Sequence, residues 1–200
     1  MHTPLTPVPR TPAIHAEALP HRTAPHTPAP EGWPPMSPLH ATPTNPALLR
    51  QAFGCFPSGV TAVCALDSGT PVGMAASTFT PVSLSPALIS VCVQDTSTTW
   101  PKLRRRSHVG VSVLAQGQDE ICRSLAGKEG DRFAGVAWDA DEDGGVYIHG
   151  ASLWLNCSLH AELPGGDHTI VLLEIQGLQA QPDTEPLVFH NSRFRRLAVS

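Results

Sequence analysis

Short runs of apolar and β-branched residues, separated by turns rich in glycine, proline and serine, dominate the chain from about residue 47 onwards. Such runs are typical of β-strands. Residues 152–163 and 169–180 flank the sequence Pro-Gly-Gly-Asp-His and predict a hairpin. Residues 170–175 are almost continuously apolar, which predicts a central position in a sheet. The other predicted strands cover residues 60–66, 71–77, 80–84, 87–93, 109–114 and 187–190.

Helical patterns are few and short. They are predicted over residues 47–53, 99–106 and 118–126, and the last has a modest apolar stripe formed by Ile121, Cys122 and Leu125. Many short strands with few helices favour a closed, mainly antiparallel barrel over a doubly wound sheet.

Residues 1–46 differ from the rest of the chain. They hold 13 of the 21 prolines and five of the ten histidines, with almost no apolar periodicity. Such a segment cannot bury enough apolar surface to offset the entropy lost on ordering. We therefore expect a disordered tail over 1–46 and one folded domain over 47–200. A translation start at Met36 is a further hypothesis, which the intact mass of natively expressed protein would decide.

Charge and cysteine content exclude several classes of protein. A net charge of −4 argues against a nucleic-acid surface, and no apolar run approaches the roughly 20 residues that span a bilayer. The five cysteines show no CxxC spacing, which indicates reduced thiols and a cytoplasmic protein. The basic run 104–106 is open to two interpretations: it complements the preceding helix dipole, or it contacts a phosphate.

The Ser-Thr-Thr sequence at residues 97–99 is the first candidate for binding chemistry. It follows a predicted strand and opens a predicted helix, with Pro101 in the first turn. Hydroxyl groups and free N–H groups at such a point attract an anion, although an ordinary helix cap without a ligand fits the same pattern. The chain contains no GxGxxG, and Gly127-Lys128 lacks the rest of a P-loop, which excludes the common nucleotide-binding folds.

A series of motifs, in order along residues 47–197, resembles the short-chain flavin reductase family. The resemblance implies an FMN-binding split β-barrel, antiparallel and of Greek-key type with a few short helices, assembled as a homodimer. Because a small barrel has little interior room, the cofactor would lie outside it or in a groove shared between subunits. The motifs are GMAASTF (73–79), SLSPALISVCV (83–93), STTWP (97–101), VSVLAQGQ (111–118), KEGDRF (128–133), Trp138, GASLWLNC (150–157), GDH (166–168) and PLVFHNSRF (186–194).

The resemblance also implies which residues bind the cofactor. The isoalloxazine and ribityl chain would be bound by Met74, Ala75, Ala76, Ser77 and Thr78, with Gln94 and Asp95 along the ribityl path. The flavin phosphate would be bound by Ser97, Thr98 and Thr99. The remaining predicted contacts are Ala115, Gln118, Lys128, Arg132, Phe133, His168 and Phe194.

His168 is the predicted catalytic residue, because the resemblance places the histidine of the Gly-Asp-His motif beside flavin and nicotinamide. Its pKa range would let it supply positive charge or a hydrogen bond. The chain departs from the family at two positions: Ser112 replaces a usual asparagine, and Phe194 replaces a common tyrosine. Phe194 can stack on a ring but cannot donate a hydrogen bond.

The implied function is that of an NAD(P)H-dependent flavin reductase. It would bind FMN or FAD, transfer hydride to it from NADH or NADPH, and supply reduced flavin to a separate monooxygenase. Hydride transfer needs no protein nucleophile, because the cofactors carry the chemistry. The alternative is a flavin-binding electron-transfer protein with the same barrel and no efficient NAD(P)H oxidation. The sequence leaves open the choice of nicotinamide, the choice of flavin, and whether the flavin is retained or released.

Overall fold

A computed structural model describes residues 30, 32–34 and 37–197 of the chain. Most of the predicted tail over 1–46 lies outside the described residues, as does Met36, so both expectations about this segment stay predictions. Residues 43–197 belong to one compact unit.

Antiparallel strands are the main secondary structure of this unit. The strands are β1 (Ser58–Gly59), β2 (Thr61–Asp67), β3 (Thr70–Ala76), β4 (Thr80–Leu84), β5 (Ala87–Gln94), β6 (Val109–Val113), β7 (Trp138–Ala140), β8 (Val146–Ile148), β9 (Leu153–Pro164), β10 (His168–Ala180), β11 (Val188–His190) and β12 (Arg193–Arg195). The helices are α1 (Pro46–Phe53), α2 (Trp100–Leu103) and α3 (Asp119–Ala126). Seven strands form one sheet in the order β3-β2-β6-β9-β10-β5-β4, three form a sheet in the order β1-β11-β12, and β7 pairs with β8.

Strand β2 lies between two apolar cores, which explains why its first five residues are all buried. Val63 and Ala65 face one core, which also receives side chains from β5, β6, β9 and β10. Ala62 and Cys64 face the other, beneath α3 and the small sheets. Because successive side chains of a strand point to opposite faces, β2 links the two cores. The predicted central position of residues 170–175 is confirmed, since β10 lies between β9 and β5.

The structure corrects the predicted helix over residues 99–106. Helix α2 spans only four residues, and the chain turns directly afterwards, where the N–H of Arg106 donates to the carbonyl of Leu103. Arg104 and Arg106 pair with Glu162 and Asp67 respectively. The basic run is therefore held by carboxylates on the sheet, and the pattern of residues 99–106 could not show these distant contacts.

Three strands of three residues each, β7, β8 and β12, were not predicted from the sequence. Strands β7 and β8 form a hairpin, and residues 141–145 are its turn. Asp141 organises this turn: its carboxylate accepts hydrogen bonds from the backbone N–H of Gly145 at 2.8 Å and from the hydroxyl of Tyr147 at 2.5 Å. Likewise β12 pairs with β11 beyond the predicted last strand. Strands of three residues are too short to produce an alternating pattern.

No helix among the described residues is long and apolar enough to cross a membrane.

Candidate functional site

A cavity of about 550 Å³ lies where β3 ends beside β5, and we refer to it as the seam cavity. Its walls come from the end of β3, the end of β5 with the turn that follows it, the end of α3 with the loop beyond, and the start of β10. Its lining residues are Met74, Ala75, Ala76, Ser77, Thr78, Cys92, Val93, Gln94, Thr96, Ser97, Thr98, Thr99, Leu125, Ala126, Lys128, Arg132 and His168.

The cavity exists because β3 and β5 are not paired along a ladder here. Beyond β3, the hydroxyl of Thr78 accepts a hydrogen bond from the N–H of Cys92 at 2.8 Å and lies 3.2 Å from its carbonyl oxygen. The Thr78 side chain thus forms hydrogen bonds with the backbone of Cys92 on β5, in the place that a paired strand would otherwise take. On the other side of the segment, Thr61 donates to the carbonyl of Ala76 at 3.0 Å. These bonds fix both sides of the opening and keep a groove between them.

One end of the seam cavity carries fixed positive charge. The guanidinium of Arg132 donates through Nη1 to the hydroxyl of Thr99 at 2.7 Å and to the carbonyl of Gly73 at 3.1 Å. The hydroxyl of Ser124, on α3, donates to the carbonyl of Arg132 at 2.8 Å and holds its backbone. The Arg132 cation is therefore oriented before any ligand arrives, with the exposed Lys128 nearby on the same wall.

The turn that carries the hydroxyl groups is also ordered from within. Ser97 Oγ accepts hydrogen bonds from the N–H groups of Thr99 at 3.3 Å and Trp100 at 3.1 Å. The indole N–H of Trp100 donates to Glu162 of β9 at 2.6 Å, and Arg104 lies 2.6 Å from the other oxygen of that carboxylate. The start of α2 is thus attached both to its own turn and to the neighbouring sheet.

His168 is the first residue of β10 and lies opposite Gln94 in the β5–β10 register. Its Nδ1 is 2.8 Å from a carboxylate oxygen of Asp167. This hydrogen bond, the charge of His168 and the charge of Arg50 lower the pKa of the Asp167 carboxyl from its usual value. With Nδ1 engaged, Nε2 is the ring nitrogen available to a ligand.

The hairpin turn before His168 is tied to the end of β5. The N–H of Asp95 donates to the carbonyl of Asp167 at 3.1 Å. The hydroxyl of Thr169 donates to the Asp95 carboxylate at 2.9 Å, so the Asp95 side chain already has a hydrogen-bond partner on β10.

The structure brings twelve of the seventeen predicted cofactor-binding residues to the seam cavity. The five others do not line it. Asp95 is bound to β10, and the remaining four are held by other structural contacts: Ala115, Gln118, Phe133 and Phe194. Five lining residues were not predicted. Cys92 and Val93 directly precede Gln94, and Thr96 directly precedes Ser97, so proximity to these predicted residues was the available signal. Leu125 and Ala126 enter from α3, where the apolar stripe predicted a helix but no contact with a ligand.

Each outlying residue has an identifiable structural contact. Gln118 accepts a hydrogen bond from the N–H of Ala115 at 2.8 Å and donates to the carbonyl of His149 at 2.7 Å, so it joins two loops. Phe133 is buried edge-on against Trp138. Phe194 packs on Phe189 and beneath the guanidinium of Arg123.

The fold is a mainly antiparallel split β-barrel, as in flavin reductases of known structure. The sequence matches the flavin reductase like domain over residues 53–198, and the chain belongs to this family. A flavin reductase of Pseudomonas putida is 35% identical over 156 residues, which are 78% of this chain and 92% of that protein. The reductase subunit HsaB of a flavin-dependent monooxygenase from Rhodococcus jostii is 31% identical over 150 residues, 75% of this chain and 77% of that protein.

Among solved structures, the NADH:FAD oxidoreductase SgcE6 of Streptomyces globisporus, in complex with NAD and FAD fragments, matches with a TM-score of 0.76. The two are 39% identical, and the match covers 80% of this chain and 98% of that one. The predicted family, the split barrel and the activity of an NAD(P)H-dependent flavin reductase are confirmed.

Proposed function

We propose that the seam cavity is where this flavin reductase binds its flavin and carries out hydride transfer from NADH or NADPH. The supporting observation is that twelve residues predicted from separate stretches of sequence line one cavity of about 550 Å³. Residues that share no local pattern are brought together there by the fold.

The chemistry of the cavity wall fits a flavin. Ala75 and Ala76 present short side chains, so a flat ring can approach the β3 backbone closely. Hydroxyl groups of the lining residues can bind the ribityl chain, and Arg132 with Lys128 can neutralise a phosphate. When bound, the flavin supplies the ring that accepts the hydride.

His168 is proposed to stabilise the negative charge that the flavin gains when it is reduced. Asp167 holds Nδ1, which fixes the orientation of the imidazole. His168 Nε2 would then donate a hydrogen bond to the reduced flavin and stabilise negative charge there. The main-chain bonds of the hairpin turn keep this histidine at the cavity.

We further propose a cytoplasmic homodimer that supplies a separate monooxygenase. Four of the lining hydroxyl residues, Ser77, Thr78, Thr96 and Thr98, are exposed in the single chain, and a second copy would exclude water from the groove. All five cysteines are free, as expected in a reducing compartment. The monooxygenase is suggested by the reductase subunit HsaB. Light scattering of the purified protein would test the dimer, with a monomeric mass as the contrary result.

The experiment that tests the function is anaerobic stopped-flow absorbance of the protein with FMN or FAD, mixed with NADH or NADPH. Rapid bleaching of the flavin would support the proposal and identify the preferred pair. An Arg132→Ala variant should bind flavin more weakly, whereas Arg105→Ala, outside the cavity, should not. Flavin that binds but is not bleached by either nicotinamide would instead support the electron-transfer alternative.

A further inference from the structure

A second cavity, of about 560 Å³, shares no lining residue with the seam cavity, and we refer to it as the acidic cavity. Its walls come from the β7–β8 hairpin with the residues just after it, the first half of β9 and the end of β10. The side chains that matter below are Asp139, Tyr147, His149, Trp154, Asn156 and Leu178. Flavin binding in the seam cavity leaves this second cavity unexplained.

The acidic cavity is built from a stretch of chain that carries no cationic side chain apart from histidine. Residues 133–192 contain nine Asp and Glu residues and neither Lys nor Arg. The β7–β8 hairpin alone carries four carboxylates, at residues 139 and 141–143. Among the described residues, the cationic partners within ion-pair distance of these four are two histidines, His108 and His149. The hairpin is therefore net negative whether or not the histidines are protonated.

This charge has the opposite sign to that of the seam cavity, where Arg132 and Lys128 suit an anion. Asp139 lies at the rim of the acidic cavity, and its side chain is 81% exposed. A nucleotide, which carries phosphate groups, would be repelled from such a wall, and a cation would be attracted to it. The ligand that fits here thus differs in charge from the flavin and nicotinamide nucleotides.

Two aromatic side chains in the wall are held in place by their own hydrogen bonds. The indole N–H of Trp154 donates to the carbonyl of Ile148 at 2.8 Å, and the hydroxyl of Tyr147 donates to Asp141 at 2.5 Å. Leu178 adds an apolar surface that is 67% exposed, because β5 pairs with β10 only as far as Glu174. Oriented aromatic rings beside carboxylates are suited to an organic cation, which the ring faces attract electrostatically.

Asn156 contributes a further unpaired acceptor to this wall. Its Nδ2 donates to the Asp141 carboxylate at 3.0 Å, but its Oδ1 is buried and has no hydrogen-bond donor among the described residues. A buried oxygen without a donor leaves a partial negative charge uncompensated. A cation bound in the cavity would stabilise this charge without needing to touch the oxygen.

We propose that the acidic cavity binds a small organic cation, an ammonium group attached to an apolar or aromatic body. Asp139 would pair with the ammonium group, the rings of Trp154 and Tyr147 would contact it, and Leu178 would pack against the body. A volume of about 560 Å³ lies within the range of small-molecule sites. This inference goes beyond the proposed function and does not depend on it, because neither flavin nor nicotinamide takes part.

The test uses three probes with the same aromatic body and different charge: 2-phenylethylamine, 2-phenylethanol and phenylacetate. Each is titrated at low ionic strength into the full chain without flavin, while NMR follows the indole N–H signal of Trp154, which its loss in Trp154→Phe assigns. The amine should shift this signal saturably, with a Kd of about 1 mM or lower. The alcohol should bind about tenfold more weakly, and phenylacetate should bind more weakly still.

Asp139→Asn removes the proposed ammonium partner while keeping the size of the side chain. It should weaken binding of the amine about threefold to fivefold and leave binding of the alcohol within about twofold. Asp183→Asn is the matched control, because it removes an exposed carboxylate from the same part of the chain without altering the lining. Leu178→Ala should weaken the amine and the alcohol by a similar factor, since both present the same apolar body.

Equal affinities for the three probes would overturn the proposal, because the cavity would then recognise only the apolar body. An unchanged Kd for the amine in Asp139→Asn would overturn it too, as would an indole signal that does not move. Failure of the proposed function has a different result: a protein that neither binds nor bleaches flavin would still bind the amine here.

Discussion

At the scale of single residues, Gly73 connects the core to the candidate site. A Cβ at this position would collide with Cys64 Sγ and lie 3.0 Å from the ring of Phe133. Its carbonyl also accepts the hydrogen bond that orients Arg132. The absence of a side chain here therefore serves both close packing and the placement of a cation.

We expect Gly73→Ala to reduce the free energy of unfolding by about 1–3 kcal/mol, because the added methyl group overpacks a buried contact. The same shift should weaken flavin binding by displacing Arg132. Urea unfolding and flavin titration would measure the two effects. Gly59→Ala is the control, since a Cβ there meets nothing within 4 Å. Equal stability of the two variants would contradict the close contact.

The second residue-scale prediction concerns His168. His168→Ala should slow hydride transfer about a hundredfold, the range of a lost proton-transfer or charge-stabilising group. Flavin affinity should change by less than about threefold. Single-turnover stopped-flow experiments separate these two quantities.

His149 provides a matched control, because it forms a similar pair with Asp139 at 2.7 Å but does not line the seam cavity. His149→Ala should therefore leave the hydride-transfer rate unchanged. A His168→Ala enzyme that keeps its wild-type rate would remove His168 from the mechanism.

At the scale of elements, α2 is too short to be stable alone, since an isolated helix of four residues cannot offset its nucleation cost. It is held by Trp100 and Leu103, which are buried, and by the hydrogen bond from the Trp100 indole to Glu162. The Arg104–Glu162 ion pair adds little because Arg104 is about half exposed. Glu162 therefore acts mainly as the acceptor for Trp100.

We expect Glu162→Leu to destabilise the protein by about 1–3 kcal/mol, because a buried indole N–H loses its partner. Flavin binding should weaken as well, since the Ser97–Thr99 turn is attached to Trp100. Glu162→Gln keeps an acceptor and should cost less than about 1 kcal/mol. Chemical denaturation and flavin titration would check this order.

A suitable control is Glu174→Gln on β10, because among the described residues Glu174 pairs only with the exposed His160. It should change neither quantity. Similar behaviour of Glu162→Leu and Glu162→Gln would contradict the role assigned to the indole hydrogen bond.

Element prediction succeeded where the chain itself carries the pattern. The strand over residues 80–84 was predicted with its observed bounds, and β5 and β10 differ by one residue at an end. It failed at α2, whose end is set by contacts with Glu162 and Asp67, distant in sequence. It also failed at β7, β8 and β12, because a three-residue strand has no measurable period.

At the scale of the whole molecule, the candidate site could be predicted in part. Residues 74–78 and 97–99 are contiguous in sequence, so the motifs that resemble the family located them together. Gln118 and Phe133 were assigned to the cofactor by the same resemblance, yet their side chains are occupied in a loop bridge and in the core. Residue type does not distinguish these uses, because amide and aromatic groups serve structure and binding equally well.

The two cores each contain one deeply buried thiol, Cys157 in the first and Cys64 in the second. Burial raises the pKa of both thiols from 9.0 to about 12. The pKa of Tyr147 is raised as well, by burial and by its hydrogen bond to Asp141. All three groups therefore keep their protons in the folded protein at a pH where the unfolded chain loses them.

This difference predicts that the domain loses stability in alkaline solution. Below pH 9.0, both states hold the thiol protons and the stability is complete; between pH 9.0 and about 12, only the unfolded state releases them. The free energy of unfolding should fall by roughly 1.4 kcal/mol per pH unit for each thiol in this window. Urea unfolding at several pH values would measure the slope, and Cys64→Ala should reduce it.

The exposed Cys55 should react with an alkylating reagent in the native state, while Cys64 and Cys157 react only on unfolding. If Cys64 and Cys157 become reactive at the same rate, the two cores unfold together as one cooperative unit; rapid native-state reaction of either would contradict its burial.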